Sequence, residues 1–109
     1  MIESNKEQPQ AVDIEEIVLG SILLESEIMQ NQAELLIPGI FYKLSHQKVF
    51  NAINILFKED SAIDILTVTN KLKSLGELES IGGPLFIVEL TSRIGSCSNI
   101  DTHIHILYE

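Results

Sequence analysis

Residues 76–90 read GELESIGGPLFIVEL, with the twin glycine Gly82-Gly83 set directly before the apolar run from Leu85 to Leu90. Two structures fit such a pair: a loop that cradles phosphate between a strand and a helix, or a hinge between two helices. A phosphate loop needs GxxxxGK followed by Ser or Thr, so that backbone N–H groups and a lysine meet the phosphates. Here Pro84 and Leu85 stand where those residues belong, and Glu77 and Glu79 repel an anion. Pro84 also lacks an N–H to donate. The hinge remains. Gly76 ends one helix, Gly82-Gly83 turns the chain, and Pro84 suits the first position of the next. The run after Pro84 fits a buried strand or a buried helix by pattern alone. No other segment offers a convincing pairing strand, so helix is the reading.

Working outward, the same period recurs. Asp64 is placed to cap a helix whose Ile65, Val68, Leu72 and Leu75 form one face. The β-branched IDILTVT makes a strand conceivable, but the stripe to Leu75 is too long for one. Ser45 is a plausible N-cap for a helix carrying Val49, Phe50, Ile53, Leu56 and Phe57. Upstream, Val12 to Glu25 places Ile14, Val18 and Ile22 on one stripe, with Asp13 and Glu16 spaced as a capping box. Gly20 inside that helix suggests a close backbone neighbour. Ser26 to Ile37 reads as a second helix that turns Ile28, Leu35 and Leu36 inward and stops at Pro38-Gly39, with Phe41 and Tyr42 anchoring the connection that follows. Asn99 caps a last helix with Ile100, Ile104 and Leu107, read as still running at Glu109. The expectation is an all-α bundle of about six short helices. Residues 1–10 form a polar, flexible arm, 11–98 a globular head, and 99–109 the beginning of a further helical element.

Composition limits the function classes. With 109 residues there is room for one domain, and 45% apolar against 21% charged residues is ordinary for a folded protein. Sixteen acids face seven Lys and Arg for a net charge of −9, and Lys6 alone offsets eight acids between Glu3 and Glu34. Direct binding to DNA is not expected, because such binding rests on clustered cations displacing counterions. Cys97 is the one cysteine, which excludes an internal disulfide. No apolar run has the length of a membrane span and the start MIESNKEQPQ is not a signal peptide, so the chain reads as cytoplasmic.

Catalytic and metal chemistry find little support. His103 and His105 lie about 200° apart on a helix and lack a third ligand. His46 reads as an exposed histidine at a helix start. Carboxylate pairs such as Glu15 and Glu16, or Asp60 and Asp64, read as caps and solvated faces.

Taken in order, Glu15-x-x-Val18-Leu19-Gly20-x-x-Leu23-Leu24, Phe41-Tyr42 with His46-Gln47-Lys48-Val49-Phe50, Ile63-Asp64-x-x-Thr67-Val68, Leu78-Glu79-x-Ile81-Gly82-Gly83 and Asn99-Ile100-Asp101 form a set. The set closely resembles the N-terminal domain of bacterial replicative DNA helicases of the DnaB family, over residues 9 to about 109. Gly39-Ile40 and Thr102-His103 depart from the family pattern. The resemblance implies a helical bundle that forms the collar of a ring-shaped hexamer and recruits primase through that protein's C-terminal domain. It implies that residues 99–109 begin a helical hairpin that pairs subunits, and that a RecA-like motor using ATP and Mg lies later in the full-length parent. This segment carries no Walker motif and is expected to need no cofactor. Alone it is expected to be a monomer or weak dimer; a helicase loader is a possible further partner. The helix after the twin glycine is the expected contact surface, with Phe86 as aromatic anchor and Glu89 and Arg93 as rim charges. From pattern alone, Phe86 in the core is an equal alternative.

Two other functions compete. A free-standing acidic adaptor predicts a reading frame that ends near Glu109. A small hydrolase or metalloprotein built on His103, His105 or Cys97 predicts bound metal on elemental analysis. If the helicase resemblance holds, GxxxxGK followed by Ser or Thr appears within a few hundred codons beyond Glu109, and sequencing the gene decides between it and the adaptor.

Overall fold

The computed structural model describes residues 9–92 and 99–108, and the regular elements among them are helical. In chain order the elements are α1 (Pro9–Leu24), α2 (Glu27–Asn31), a 3-10 turn (Pro38–Ile40), α3 (Leu44–Lys58), α4 (Ile65–Ser74), α5 (Leu78–Ile81), α6 (Pro84–Ser92) and α7 (Ile100–Leu107). No strand occurs among the described residues, so the all-α expectation holds and the run after Pro84 is a helix.

Helix α1 is the spine. It packs against α2, α3, α6 and α7, which explains why Val18, Leu19, Gly20 and Ile22 are all buried while Ile14 is half-covered. The helix begins at Pro9, ahead of the expected Val12. Proline is tolerated there because the first N–H groups of a helix have no intrahelical acceptor. Asp13 and Glu16 thus lie inside the helix and are not its capping box.

The second helix is much shorter than the expected Ser26–Ile37. It stops at Asn31, where Gln32 leaves helical geometry at φ −116° and ψ 26°. The chain then tightens, with the N–H groups of Leu35 and Leu36 both donating to the Gln32 carbonyl at 2.9 and 3.0 Å. Tertiary partners hold this shape. The Gln32 side-chain amide bonds to Asp101 and the Tyr108 hydroxyl to the Leu35 carbonyl, both reaching across to the α7 region. Leu36 is still buried, as expected, and Leu35 is half-buried.

Helix α3 supplies His46, Val49, Phe50, Ala52, Ile53 and Leu56 to the core. Phe50 meets Phe41 with ring centroids 5.1 Å apart in a tilted pair. Lys43, not Ser45, holds its N-cap position, and the Lys43 side chain makes no cap bond.

Helix α4 follows the sequence closely. Asp64 is extended and closes a reciprocal capping box: the Thr67 N–H donates to Oδ1 at 2.8 Å, and the Asp64 N–H donates to Thr67 Oγ1 at 2.9 Å. Val68 and Leu72 are fully buried, whereas Leu75 at the C-cap is 42% exposed and leaves the expected face.

Three helices end by one device. After α3, α4 and α5 the chain takes a left-handed residue, Asp60 (φ 58°), Gly76 (φ 75°) and Gly82 (φ 113°). In each case the following N–H reaches back to the last turn: Ser61 to Leu56, Glu77 to Leu72 and Gly83 to Leu78, all at 2.9 Å. The second of these turns leads directly into α5, a four-residue helix that the sequence pattern did not separate from the hinge. Gly83 is also left-handed (φ 78°), so the hinge reading of Gly82-Gly83 holds with both glycines used. Helix α7 ends at Leu107 with Tyr108 as C-cap, and Glu109, where the run was expected to continue, lies outside the described residues.

Asp64→Ala removes one cap and is expected to lower stability by about 1 kcal/mol. Gly76→Ala is expected to cost about 1–2 kcal/mol by forcing a Cβ into the left-handed region. Leu66→Ala, on the exposed side of α4, is expected to stay within about 0.5 kcal/mol. Thermal and urea melts followed by circular dichroism check all three.

Candidate functional site

Glu15 sits on the face of α1 that carries Val18, Leu19 and Ile22, and like them it is 0% exposed. A lone buried carboxylate is strongly unfavourable. Here it faces the start of α3. The Tyr42 N–H donates to Oε2 at 2.6 Å and the Lys43 N–H to Oε1 at 3.3 Å. His46 Nδ1, on an equally buried ring, lies 2.7 Å from Oε1.

The carboxylate thus takes from α1 the N–H of the α3 N-cap residue Lys43 and of Tyr42 before it, as the N3 side chain of a capping box would take the former. It neutralises N–H groups just outside and at the open end of α3, where the helix dipole also favours negative charge. An ionised carboxylate can only accept, so the hydrogen bond places the proton on Nδ1. Nε2 of the same ring is buried and meets no hydrogen-bond partner among the described residues. Gln47 grips the same segment from its other side, its amide donating to the carbonyls of Phe41 and Tyr42 at 3.0 and 3.2 Å.

Phe86 of α6 stands against this junction. Its ring centroid is 6.0 Å from that of His46, and the Lys43 ammonium lies 5.7 Å from it. A Cβ on Gly82 would lie 3.4 Å from the Phe86 Cβ, so the hinge backbone closes in on the base of the side chain. Phe86 is half-buried, which lies between the anchor and core expectations.

On its open side Phe86 lines a shallow groove of about 270 Å³ together with Glu16, Glu89, Leu90 and Ser92. Two of the three expected contact residues, Phe86 and Glu89, thus line one groove, and Glu89 is exposed. Arg93 lies outside the described residues, as does Cys97. Beside the groove, α6 presents Leu85 and Val88 to solvent at 64% and 45% exposure. The lining brings a half-open aromatic and a leucine between carboxylates, which suits recognition of another protein surface.

His103 is half-buried and His105 exposed on α7. Among the described residues no group of three or more His, Cys, Asp or Glu side chains is placed to hold a metal ion, and no helix there is long and apolar enough to cross a membrane.

Two readings are corrected. His46 is fully buried and bonded where exposure was expected, and Glu15 is a buried partner where a solvated face was expected. The sequence does carry one signal for Glu15: it is in phase with Val18, Leu19 and Ile22, at three, four and seven residues, which puts a charge on the core face. Nothing local marks His46 as its partner 31 residues away.

The DnaB-like helicase N terminal domain family matches residues 7–109. Replicative DNA helicase DnaB of Rhodothermus marinus is 43% identical over 101 residues, which cover 93% of this chain and 11% of that protein. Replicative DNA helicase DnaC of Bacillus subtilis (strain 168) is 34% identical over 101 residues, covering 93% of this chain and 22% of that protein. The crystal structure of the N-terminal domain of DnaB helicase from Mycobacterium tuberculosis matches with a TM-score of 0.80 at 33% identity, covering 86% of this chain and 67% of that one. The chain spans less than a quarter of the length of the first two relatives. With the fold, the motif order and these likenesses in agreement, the chain belongs to the DnaB-like helicase N-terminal domain family.

Proposed function

We propose that this chain is the collar domain of a cytoplasmic replicative DNA helicase and serves hexamer assembly and primase recruitment. The observation that carries the reading is the groove on α6, where half-buried Phe86 and exposed Glu89 meet beside the uncovered Leu85 and Val88. A half-open aromatic beside exposed apolar side chains is the composition of a protein-contact patch rather than of a substrate pocket. The net charge of −9 supports contact with protein and disfavours contact with DNA phosphates.

On this reading the domain performs no catalysis. The parent uses ATP and Mg in a RecA-like motor outside these residues, and α7 opens a helical hairpin that pairs subunits. Primase approaches through its C-terminal domain, with Phe86 as anchor and Glu89 and Arg93 at the rim. A helicase loader is a further candidate for the same head.

Calorimetric titration with the C-terminal domain of the cognate primase tests the contact. Phe86→Ala is expected to weaken binding by about 2 kcal/mol, with the helical circular dichroism unchanged. Unchanged affinity, or loss of helicity together with affinity, overturns the anchor role. Light scattering of the isolated domain is expected to give a monomer or weak dimer, and a stable hexamer would show that the head alone assembles.

A further inference from the structure

We infer that Glu15 and His46 are positioning residues for the α6 contact face, acting through the stack of the His46 ring on Phe86. The inference rests on the proposed use of α6 as a docking surface, but its first consequence is measurable in the free domain. Phe86 packs on the hydrophobic core and also meets the backbone at Gly82, the His46 ring at 6.0 Å and the Lys43 ammonium at 5.7 Å. The last two belong to the entry of α3. A carboxylate from α1 holds that entry together with Gln47, taking the N–H of Tyr42, the N–H of Lys43 and Nδ1 of His46.

Nε2 of the imidazole meets no hydrogen-bond partner among the described residues, so the bond to Glu15 is the polar contact that orients the ring within its packed surroundings. A rotated ring no longer offers Phe86 the same wall. Helix α1 thus bears on α6 twice, directly through the core and indirectly through Glu15, His46 and Phe86. The residue separation along the chain, 31 between Glu15 and His46, makes this a tertiary device and not a local cap.

The choice of variant separates positioning from bulk stability. His46→Asn keeps an N–H where Nδ1 stands and retains the bond to Glu15, but removes the ring from beside Phe86. His46→Gln moves the amide toward the Nε2 position and leaves Oε1 short of a donor. In nuclear magnetic resonance spectra of the wild-type domain, the Lys43 side-chain methylenes are expected to be shifted upfield by the Phe86 ring.

With His46→Gln this shift is expected to vanish and the Tyr42 and Lys43 amides to exchange at least about tenfold faster. The Val68 and Leu72 amides should stay protected. With His46→Asn, which keeps the bond to Glu15 but removes the ring from Phe86, the protection is expected to persist while the shift is lost. Binding of the primase C-terminal domain is expected to fall about tenfold for both variants, since both remove the ring beside Phe86 while leaving Phe86 and Glu89 in place.

An unchanged Lys43 shift in His46→Gln, accompanied only by a lower melting temperature, overturns the inference. Should that variant not fold, Phe86→Leu decides instead: the His46 ring protons must move, and if they do not, the stack is not there to position anything. If wild-type domain fails to bind the primase fragment, the docking reading falls, while the Lys43 and His46 signals still decide the positioning role.

Discussion

One buried negative charge organises this domain. Glu15 cannot remain in the core as a carboxylate without donors, and the donors it uses are the entry of α3 and the ring of His46. The angle between α1 and α3 is fixed by hydrogen bonds as well as by apolar contact. Apolar packing alone tolerates sliding, since hydrophobic attraction has no direction. A carboxylate that must meet three donors tolerates little. Around that joint, Phe41 and Phe50 fill the space below α3, and Ile87 and Leu90 bring α6 onto the same core.

Much of this was legible from local chemistry. The Asp64 cap, the Gly76 stop, the helical hinge at Gly82-Gly83 and the core face of Val49, Phe50, Ile53 and Leu56 are all consequences of residue type and spacing. What escaped the reading depends on partners distant in sequence. The second helix is cut short because Gln32 and Leu35 are engaged by Asp101 and Tyr108. The N-cap of α3 falls at Lys43 and not at Ser45, and the carboxylate that meets the N–H groups of this entry comes from another helix, Glu15 of α1. The short α5 was hidden because four residues are too few to show a period. Phe86 could not be assigned to core or surface from its pattern, and it is half-buried because it belongs to both.

This division bears on the proposed collar role. A contact surface that must be presented in the same way by every subunit of a ring needs a rigid support, because each degree of freedom left in the free state is lost on binding. The groove residues Phe86 and Leu90 stand on a helix, and that helix stands on α1. Its acidic surroundings act at longer range, raising the encounter rate of basic protein surfaces and lowering that of nucleic acid.

The link between α5 and α6 has a further consequence. It consists of two left-handed glycines, and the first lies against the Phe86 side chain. Its length therefore acts as a phase setting for α6. One inserted residue would turn the helix by about 100° relative to the core. Phe86 would leave the His46 ring, and a neighbouring apolar side chain would take its place. Exchanging side chains on α6 would leave that phase intact, whereas a change in the length of the two-residue link would re-aim the whole helix.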